Sequence, residues 1–247
     1  VRDLFEDNPL VHRFIVYDKK DSLRNKTKLF LSLFKERFDL VVDLKDSFLG
    51  ALLKARAGNF GFKKVPSSLR HMRDIHLALS GYPKESTPTP SFLYIKPQEK
   101  ERVELLLKDA GIRESDIIVA IAAGSRSHTK RWPKERFADL CCDLMKRPGL
   151  KIVLLGDAED AFINKYIGGA LEGKCLDLSN KTNLRELAFL LRRCSLLISN
   201  DSAILHMGSY VNIPVIGIFG ITDTKKYGPW SKVNVAVTKE ISCRPCE

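Results

Sequence analysis

The chain has 247 residues, 44% of them hydrophobic, and a formal net charge of +11 at pH 7. This composition is typical of a globular protein with a buried core, and no apolar run approaches the roughly 18 residues that span a bilayer, so we expect no transmembrane segment. The positive charge predicts anionic partners, but the basic residues are scattered and lack an aromatic RNA motif, a cysteine–histidine finger or a basic zipper, so we expect no nucleic-acid partner.

The first third of the chain has the alternating pattern of β/α units, and residues 1–82 are predicted to form a partial N-terminal α/β domain. Because the chain does not start with Met and residue 1 lies just ahead of a helix, we expect a native N-terminal segment to be missing. The apolar spacing predicts the following elements: helix 2–6, strand 13–17, helix 26–35, strand 38–44, helix 47–57 and helix 70–80.

Residues 83–98 contain four prolines and are predicted to be a linker, since proline removes a backbone donor and favours extended chain. A longer β/α series over residues 99–247 predicts a second α/β domain, with a parallel sheet covered by helices on both faces. No G-x-G-x-x-G follows its strands, so an NAD-type site is not expected. The predicted helices are 99–110, 134–146, 160–171, 184–193 and 203–211, and the predicted strands are 116–123, 151–155, 174–178, 196–199 and 214–219.

The six cysteines do not form the pattern of a metal site. Cys175 and Cys194 lie in apolar surroundings and are predicted to be reduced core residues. Cys243 and Cys246 form a single C-x-x-C, whereas a four-cysteine zinc site needs a second pair at suitable spacing. We therefore expect no bound metal, and the role of this pair stays open.

A polar junction follows the apolar strand at 196–199. Asn200, Asp201 and Ser202 come directly before a predicted helix that begins at Ala203, so a carboxylate, a hydroxyl and free backbone N–H groups meet at one point. Open parallel sheets bind ligands outside the carboxyl ends of their strands, and a helix N-terminus favours phosphate. The alternative interpretation is that Asp201 or Ser202 only caps the helix.

A second polar junction follows strand 116–123. The loop from Gly124 to Arg131 carries hydroxyls and cations and leads to Pro133, a residue suited to the first helical position. Taken alone, this segment is also compatible with a solvated basic loop. Two such loops in one α/β domain can converge on a single anion, which favours a ligand that carries phosphate.

Four segments occur in one order along the chain: Ser125–Pro133 with its Lys-Arg-Trp-Pro core, Leu155-Gly156-Asp157, Asn200-Asp201-Ser202 with His206, and Phe219–Asp223. Together they resemble the bacterial heptosyltransferases of glycosyltransferase family 9, which use ADP-heptose to build the lipopolysaccharide core. The resemblance covers residues 99–247 well and residues 1–82 more weakly. It implies a GT-B fold, in which two Rossmann-like domains enclose a cleft, with the nucleotide-sugar in the C-terminal domain and the acceptor in the N-terminal one.

The resemblance further implies an inverting transferase that moves a sugar, a heptose in this family, from an ADP-sugar to a lipopolysaccharide core or a related glycan. Lys130 and Asp201 would be its catalytic residues, with Lys130 stabilising the charge that grows on the diphosphate. The ADP-sugar is a substrate, and no cofactor or metal is implied. The acceptor would be an anionic lipid-linked glycan at the membrane surface, and the protein would be cytoplasmic and peripheral to the inner membrane. The implied donor-binding residues are Ser125, Arg126, Lys130, Glu159, Thr182, Asp201, Ser202, Ala203 and His206.

Two features depart from the family. Ala203 stands where the family has a glycine that lets the backbone approach the phosphates. The acid that activates the acceptor hydroxyl lies, in the family, in an N-terminal glycine-rich loop with no match in residues 1–82. Asp43 and Asp46 follow a strand in a different context, so we assign no general base. We therefore expect this chain alone to bind ADP or an ADP-sugar weakly and not to transfer the sugar.

Two other functions are compatible with the same motifs. A GT-B-like nucleotide-sugar epimerase would need further acid–base residues in the cleft. A sugar-nucleotide-binding protein without turnover would need none. The acceptor, the nucleotide base, the choice of heptose over another sugar and the oligomeric state are left open by the sequence.

Overall fold

A computed structural model describes residues 2–18, 20–44, 52–58, 66–80 and 93–244. The chain forms two compact units, one of residues 13–88 and one of residues 1–12 together with residues 89–247. Among the described residues, no helix has the length and apolar character needed to cross a membrane. Most of the predicted linker at 83–98 lies outside the described residues.

The first unit contains short α/β elements. Its described elements are helix α2 (Leu23–Phe34), strand β1 (Phe38–Val41), strand β2 (Ala55–Gly58) and helix α3 (Met72–Ser80), while the preceding helix α1 (Arg2–Phe5) belongs to the second unit. The β1 and β2 strands pair in parallel, with Phe38 opposite Ala55. A parallel pair of strands is the arrangement that β/α units produce.

Two predictions for the first unit, strand 13–17 and the end of helix 47–57, differ from the described structure. Residues 13–17 are exposed and form no strand, because no described strand pairs with them and their backbone groups therefore gain no ladder of hydrogen bonds. Residues 55–57, predicted as the end of a helix, lie in β2 instead. Their pairing with β1 overrides the helical preference of the alanines and arginine. The rest of predicted helix 47–57 lies mostly outside the described residues, as does Asp46.

The second unit follows the predicted β/α alternation closely. Its elements after α1 are α4 (Pro97–Asp109), β3 (Ile117–Ala122), α5 (Lys134–Met145), β4 (Leu150–Leu154), α6 (Ala161–Ala170), β5 (Leu176–Asp177), α7 (Leu184–Arg193), β6 (Leu196–Asn200), α8 (Ala203–Tyr210), β7 (Val215–Phe219), α9 (Thr224–Tyr227) and β8 (Asn234–Thr238). In the described residues these strands form one six-stranded parallel sheet in the order β5-β4-β3-β6-β7-β8. That order is the doubly wound arrangement of dinucleotide-binding folds.

The central strands of the sheet in the second unit are buried on both faces. Successive residues of β3 point to opposite sides, so that Ile118 and Ala120 join one apolar cluster while Val119 and Ile121 join the other. Helices α4, α7 and α8 cover the first face, and helices α5 and α6 cover the second. The run of apolar residues without polar alternation in β3 is explained by this two-sided burial.

Residues 2–12 pack within the second unit. The buried guanidinium of Arg185 in α7 pairs with Glu99 (Nε to Oε1, 2.9 Å) and donates from Nη1 to the carbonyl oxygen of Glu6 at 2.7 Å. Lys96 pairs with Asp7 (Nζ to Oδ2, 2.5 Å). A buried charge needs such partners, and this requirement accounts for the position of residues 1–12, which the sequence assigned to the N-terminal domain.

Candidate functional site

The candidate site lies where the strand order of the large sheet reverses, between β3 and β6. The chain places β4 and β5 on one side of β3, then returns and places β6, β7 and β8 on the other. The loops that leave the carboxyl ends of β3 and β6 therefore diverge and open a crevice, the usual ligand site of such sheets. Both polar junctions predicted from the sequence, after β3 and after β6, lie at this crevice.

An ion pair between Lys130 and Asp201 joins the two loops. Lys130 Nζ donates to Asp201 Oδ2 at 2.7 Å, and the Thr222 hydroxyl, in the loop after β7, donates to the same oxygen at 2.8 Å. The Asp201 side chain is 7% exposed and that of Lys130 is 33% exposed. Among the described residues, no hydrogen-bond partner is found for Asp201 Oδ1 or for the two remaining ammonium donors of Lys130. The pair thus keeps unused polar atoms in the crevice.

Uncharged hydrogen bonds fix the two loops to each other. The Ser125 hydroxyl donates to the carbonyl oxygen of Asp201 at 2.8 Å. Asn200, which is fully buried, donates from Nδ2 to the carbonyl of Ala123 at 2.7 Å and accepts from the backbone N–H of Trp132 at 3.0 Å. These bonds hold the loop that carries Lys130 next to the loop that carries Asp201.

The alternative interpretation, in which Asp201 or Ser202 caps the helix, holds for Ser202 but not for Asp201. Ser202 is the N-cap of α8, and its hydroxyl accepts from the backbone N–H of Leu205 at 3.4 Å. Asp201 forms no such cap and takes part in the ion pair with Lys130 instead. The first N–H groups of α8, at Ala203 and Ile204, face no intrahelical acceptor, as in any helix.

A second carboxylate, Asp160, lies deep in the crevice between two glycines. A Cβ atom on Gly124 would lie 2.0 Å from Asp160 Cγ, and one on Gly156 would lie 2.7 Å from Asp160 Cβ. Arg131 approaches Asp160 Oδ1 with Nη2 at 3.8 Å and donates from Nε to the carbonyl of Ser125 at 2.8 Å. Burial raises the pKa of Asp160, against the lowering effect of the backbone N–H of Asp157 and of Arg131.

The raised pKa of Asp160 predicts a pH-dependent stability difference. An acid whose pKa is raised in the folded state contributes stability at low pH that is lost as the pH rises through that pKa. Asp160→Asn removes the cost of burying the charge, so the variant should have a higher thermal midpoint than wild type near neutral pH, and the gain should shrink towards about pH 4. Thermal unfolding over a pH series measures it. Asp109→Asn, an exposed control, should show a flat difference, and a flat difference for Asp160→Asn would contradict the prediction.

The crevice opens into a cleft of about 1150 Å³. Every donor-binding residue implied by the resemblance lines it: Ser125, Arg126, Lys130, Glu159, Thr182, Asp201, Ser202, Ala203 and His206. The structure therefore brings the predicted residues together, although what each one binds stays a prediction. Cavities that hold small ligands are commonly about 300–1,000 Å³, so this cleft has room for a nucleotide-sugar.

Sequence reasoning missed several residues of the cleft and its support. Thr222 lies in the Phe-Gly-Ile-Thr-Asp segment, and neither Thr222 nor Asp160 is among the residues that the sequence predicts to bind the donor. Apolar side chains also line the cleft, at Leu155, Leu184 and Leu187. The signal for Asp160 was available in Gly124 and Gly156, since glycines at two neighbouring strand ends leave room for a side chain.

The expectation of no metal stays a prediction. Within the described ranges, no group of three or more histidine, cysteine, aspartate or glutamate side chains is arranged to hold a metal ion. Cys194 is a buried free thiol and Cys175 a half-buried one. Burial raises the pKa of Cys194 to about 12, which makes it a poor nucleophile and metal ligand.

The comparisons with known proteins agree on one family. Residues 70–247 match the model of glycosyltransferase family 9 (heptosyltransferase). The lipooligosaccharide heptosyltransferase 2 of Haemophilus influenzae is 29% identical over 146 residues, which are 57% of this chain and 42% of that protein. The chain thus spans less than half the length of this curated relative.

Solved structures show the same similarity. A glycosyl transferase family 9 protein from Veillonella parvula aligns with a TM-score of 0.81 and 25% identity, over 98% of this chain and 76% of that one. The ADP-heptose lipopolysaccharide heptosyltransferase II of Escherichia coli aligns with a TM-score of 0.64 and 20% identity, over 87% of this chain and 72% of that one. With the parallel sheets, these alignments confirm the predicted α/β fold class of the GT-B type.

Proposed function

The chain belongs to glycosyltransferase family 9, and on that basis we propose that its cleft binds an ADP-sugar and presents the sugar, a heptose, for transfer to a glycan acceptor. The observation that carries the proposal is the Lys130–Asp201 pair at the reversal of the strand order. It joins a cation and an anion that both retain free polar atoms. Such a pair suits a ligand with a charged phosphate next to a polyhydroxylated ring.

The donor diphosphate would lie against the two polar loops. Lys130 retains ammonium donors beyond its bond to Asp201, and the first N–H groups of α8 favour an anion. Arg126 is exposed, lines the cleft and makes no hydrogen bond to another described residue. These groups would neutralise the diphosphate as the bond to the sugar breaks, which is the electrostatic contribution that such catalysis depends on most.

The sugar and the nucleoside would occupy the two ends of the cleft. Asp201 Oδ1 is available to accept a hydrogen bond from a sugar hydroxyl. At the other end, Leu155, Leu184 and Leu187 supply apolar surface for a planar base, and the exposed carboxylate of Glu159 is placed to accept from ribose hydroxyls. A mostly apolar slot with a few polar groups is the usual composition of a nucleoside site.

The reaction would be a displacement with inversion at the anomeric carbon. The acceptor hydroxyl attacks that carbon, its proton passes to a general base, and the ADP leaves with the electron pair of the broken bond. We propose that residues of the cleft bind the departing ADP, and we assign none of them as the general base. No metal is needed in the proposal, because Lys130 and the helix N-terminus supply positive charge.

We further propose that the acceptor is an anionic, lipid-linked glycan of the lipopolysaccharide type, met at the cytoplasmic surface of the inner membrane. The formal net charge of +11 supports an anionic partner. The names of the relatives, which are lipooligosaccharide and lipopolysaccharide heptosyltransferases, support a glycan of this kind.

Calorimetry on this chain with ADP, ADP-heptose and UDP tests the donor. We expect ADP to bind at least about tenfold more tightly than UDP, equivalent to about 1.4 kcal/mol, and heat-denatured chain gives the blank. Equal binding of the two nucleotides, or none, would contradict the proposal. Mass spectrometry of the products formed by the native gene product separates the alternatives. A transferase releases ADP and lengthens the glycan, an epimerase changes the sugar without releasing ADP, and a binding protein does neither.

A further inference from the structure

The loop after β7 contacts the Lys130–Asp201 pair through the side chain of Thr222. It runs from Gly220 to Thr222 and carries the hydroxyl that donates to Asp201. We propose that Thr222 is a positioning residue, which orients the Asp201 carboxylate towards the donor sugar, and that Arg244 holds Thr222 in place. The inference rests on the proposed function of the cleft and adds two residues to it.

Thr222 and Lys130 share one oxygen of Asp201. Thr222 is buried, with 8% of the residue exposed, and its Oγ1 lies 2.8 Å from Asp201 Oδ2. Lys130 Nζ lies 2.7 Å from the same atom. Two donors on Oδ2 leave Oδ1 as the oxygen that faces a ligand. The carboxylate is therefore presented in one orientation, with one accepting atom.

Arg244 fixes the backbone that carries Thr222. Its Nε donates to the carbonyl of Gly220 at 2.6 Å, and its Nη2 donates to the carbonyl of Thr222 at 3.0 Å. The planar guanidinium holds both donors in a rigid fork. Arg244 thus holds two carbonyls that are two residues apart, so a shift of the backbone at Thr222 would strain or break a bond to Arg244.

The same loop also touches the segment that carries Lys130. A Cβ atom on Gly220 would lie 3.0 Å from the carbonyl oxygen of Thr129. The loop therefore packs against Thr129, which precedes Lys130, and donates a hydrogen bond to Asp201, the ion-pair partner of Lys130. This position lets one short loop set both halves of the ion pair.

Asp201 needs a second hydrogen-bond donor because Lys130 would bind both Asp201 and the donor diphosphate. If Lys130 moves towards the donor diphosphate, a carboxylate held by Lys130 alone would turn with it. The Thr222 hydroxyl remains on Oδ2 and keeps Oδ1 directed at the sugar. Hydrogen bonds to a charged group are among the stronger ones in proteins, so one hydroxyl is enough to hold this orientation.

The test compares two ligands in Thr222→Val and Thr222→Ser. Asp201 would contact the sugar, so Thr222→Val should weaken the binding of ADP-heptose about tenfold, equivalent to roughly 1.4 kcal/mol, and change the binding of ADP less than about twofold. Thr222→Ser keeps the hydroxyl and should restore wild-type affinity for both ligands. Arg244→Gln should shift the same affinity ratio in the same direction, by about threefold.

Matched controls distinguish a change in the orientation of Asp201 from a general loss of folding stability. Thr224→Val makes the same chemical change two residues along, where no hydrogen bond of the side chain is found in the described part of the chain. Lys239→Gln removes an exposed cation near Arg244 in sequence. If Thr222→Val loses ADP and ADP-heptose equally, or behaves like Thr224→Val, the inference is wrong while the proposed function stands. If wild type binds neither ligand, the proposed function itself fails.

Discussion

Replacement of Lys130 by alanine is expected to weaken ADP binding by about 10- to 100-fold and to slow sugar transfer by a further factor of about 10²–10³. The ammonium group is the cation bonded to Asp201 at the centre of the cleft. In the proposed function, its removal takes away a charge-assisted contact to the diphosphate. It also leaves the mostly buried Asp201 carboxylate as an uncompensated anion beside another anion.

Calorimetry with ADP on this chain and a transfer assay on the native gene product measure the two effects of Lys130→Ala. Lys134→Ala is the matched control, because Lys134 lies at the start of α5, pairs with Glu135 and does not line the cleft. It should leave affinity and rate within about twofold of wild type. If Lys130→Ala kept both the wild-type affinity for ADP and the wild-type turnover, the proposed role of Lys130 in donor binding would be wrong.

Gly124→Ala should cost about 2–3 kcal/mol of folding stability and weaken ADP binding at least about tenfold. The new methyl carbon would lie 2.0 Å from Asp160 Cγ, so the Asp160 side chain must leave its place between the glycines. Arg131 then loses the charge near its Nη2, and the loop that holds Ser125 loosens. Denaturant unfolding and ADP titration measure the two losses.

A double substitution makes the cause of the Gly124 effect testable. Gly124→Ala combined with Asp160→Ala should recover about 1–3 kcal/mol relative to the sum of the single changes, because the methyl group then occupies space that the carboxylate has vacated. Gly169→Ala is the control, since a Cβ there has nothing within 4 Å and should be neutral or stabilising by up to about 1 kcal/mol. An additive double variant would show that the clash with Asp160 is not the cause.

The sequence predicted the cleft because its chemistry is local to two strand ends. Asp201 and Ser202 follow β6 directly, and Lys130 lies in the loop after β3, so the parallel sheet alone brings them to one edge. Thr222 and Asp160 could not be assigned in this way. Their roles depend on side-chain directions across the crevice, and a threonine or an aspartate near a helix start is usually a cap.

The fold was predictable where burial is two-sided and the apolar runs are long. The central strands β3, β4 and β6 are such runs, and their predicted positions are close to the observed ones. Strand β8 was missed because it is an edge strand whose residues are mostly exposed. The alternation of Val235 and Val237 with small residues was its signal. Residues 55–57 were assigned to the wrong element because alanine-rich segments favour helix until a neighbouring strand pairs with them.

The central position of β3 has a consequence for synthesis on the ribosome. This strand is complete at Ala122, but the strand that closes its second edge, β6, ends at Asn200. At about 5–20 residues per second, the wait is roughly 4–16 s. During that time an edge of isoleucine, valine and alanine has no partner in its own chain, and such an edge readily pairs with other chains. Slow codons between these two strands should therefore increase the fraction of nascent protein that aggregates.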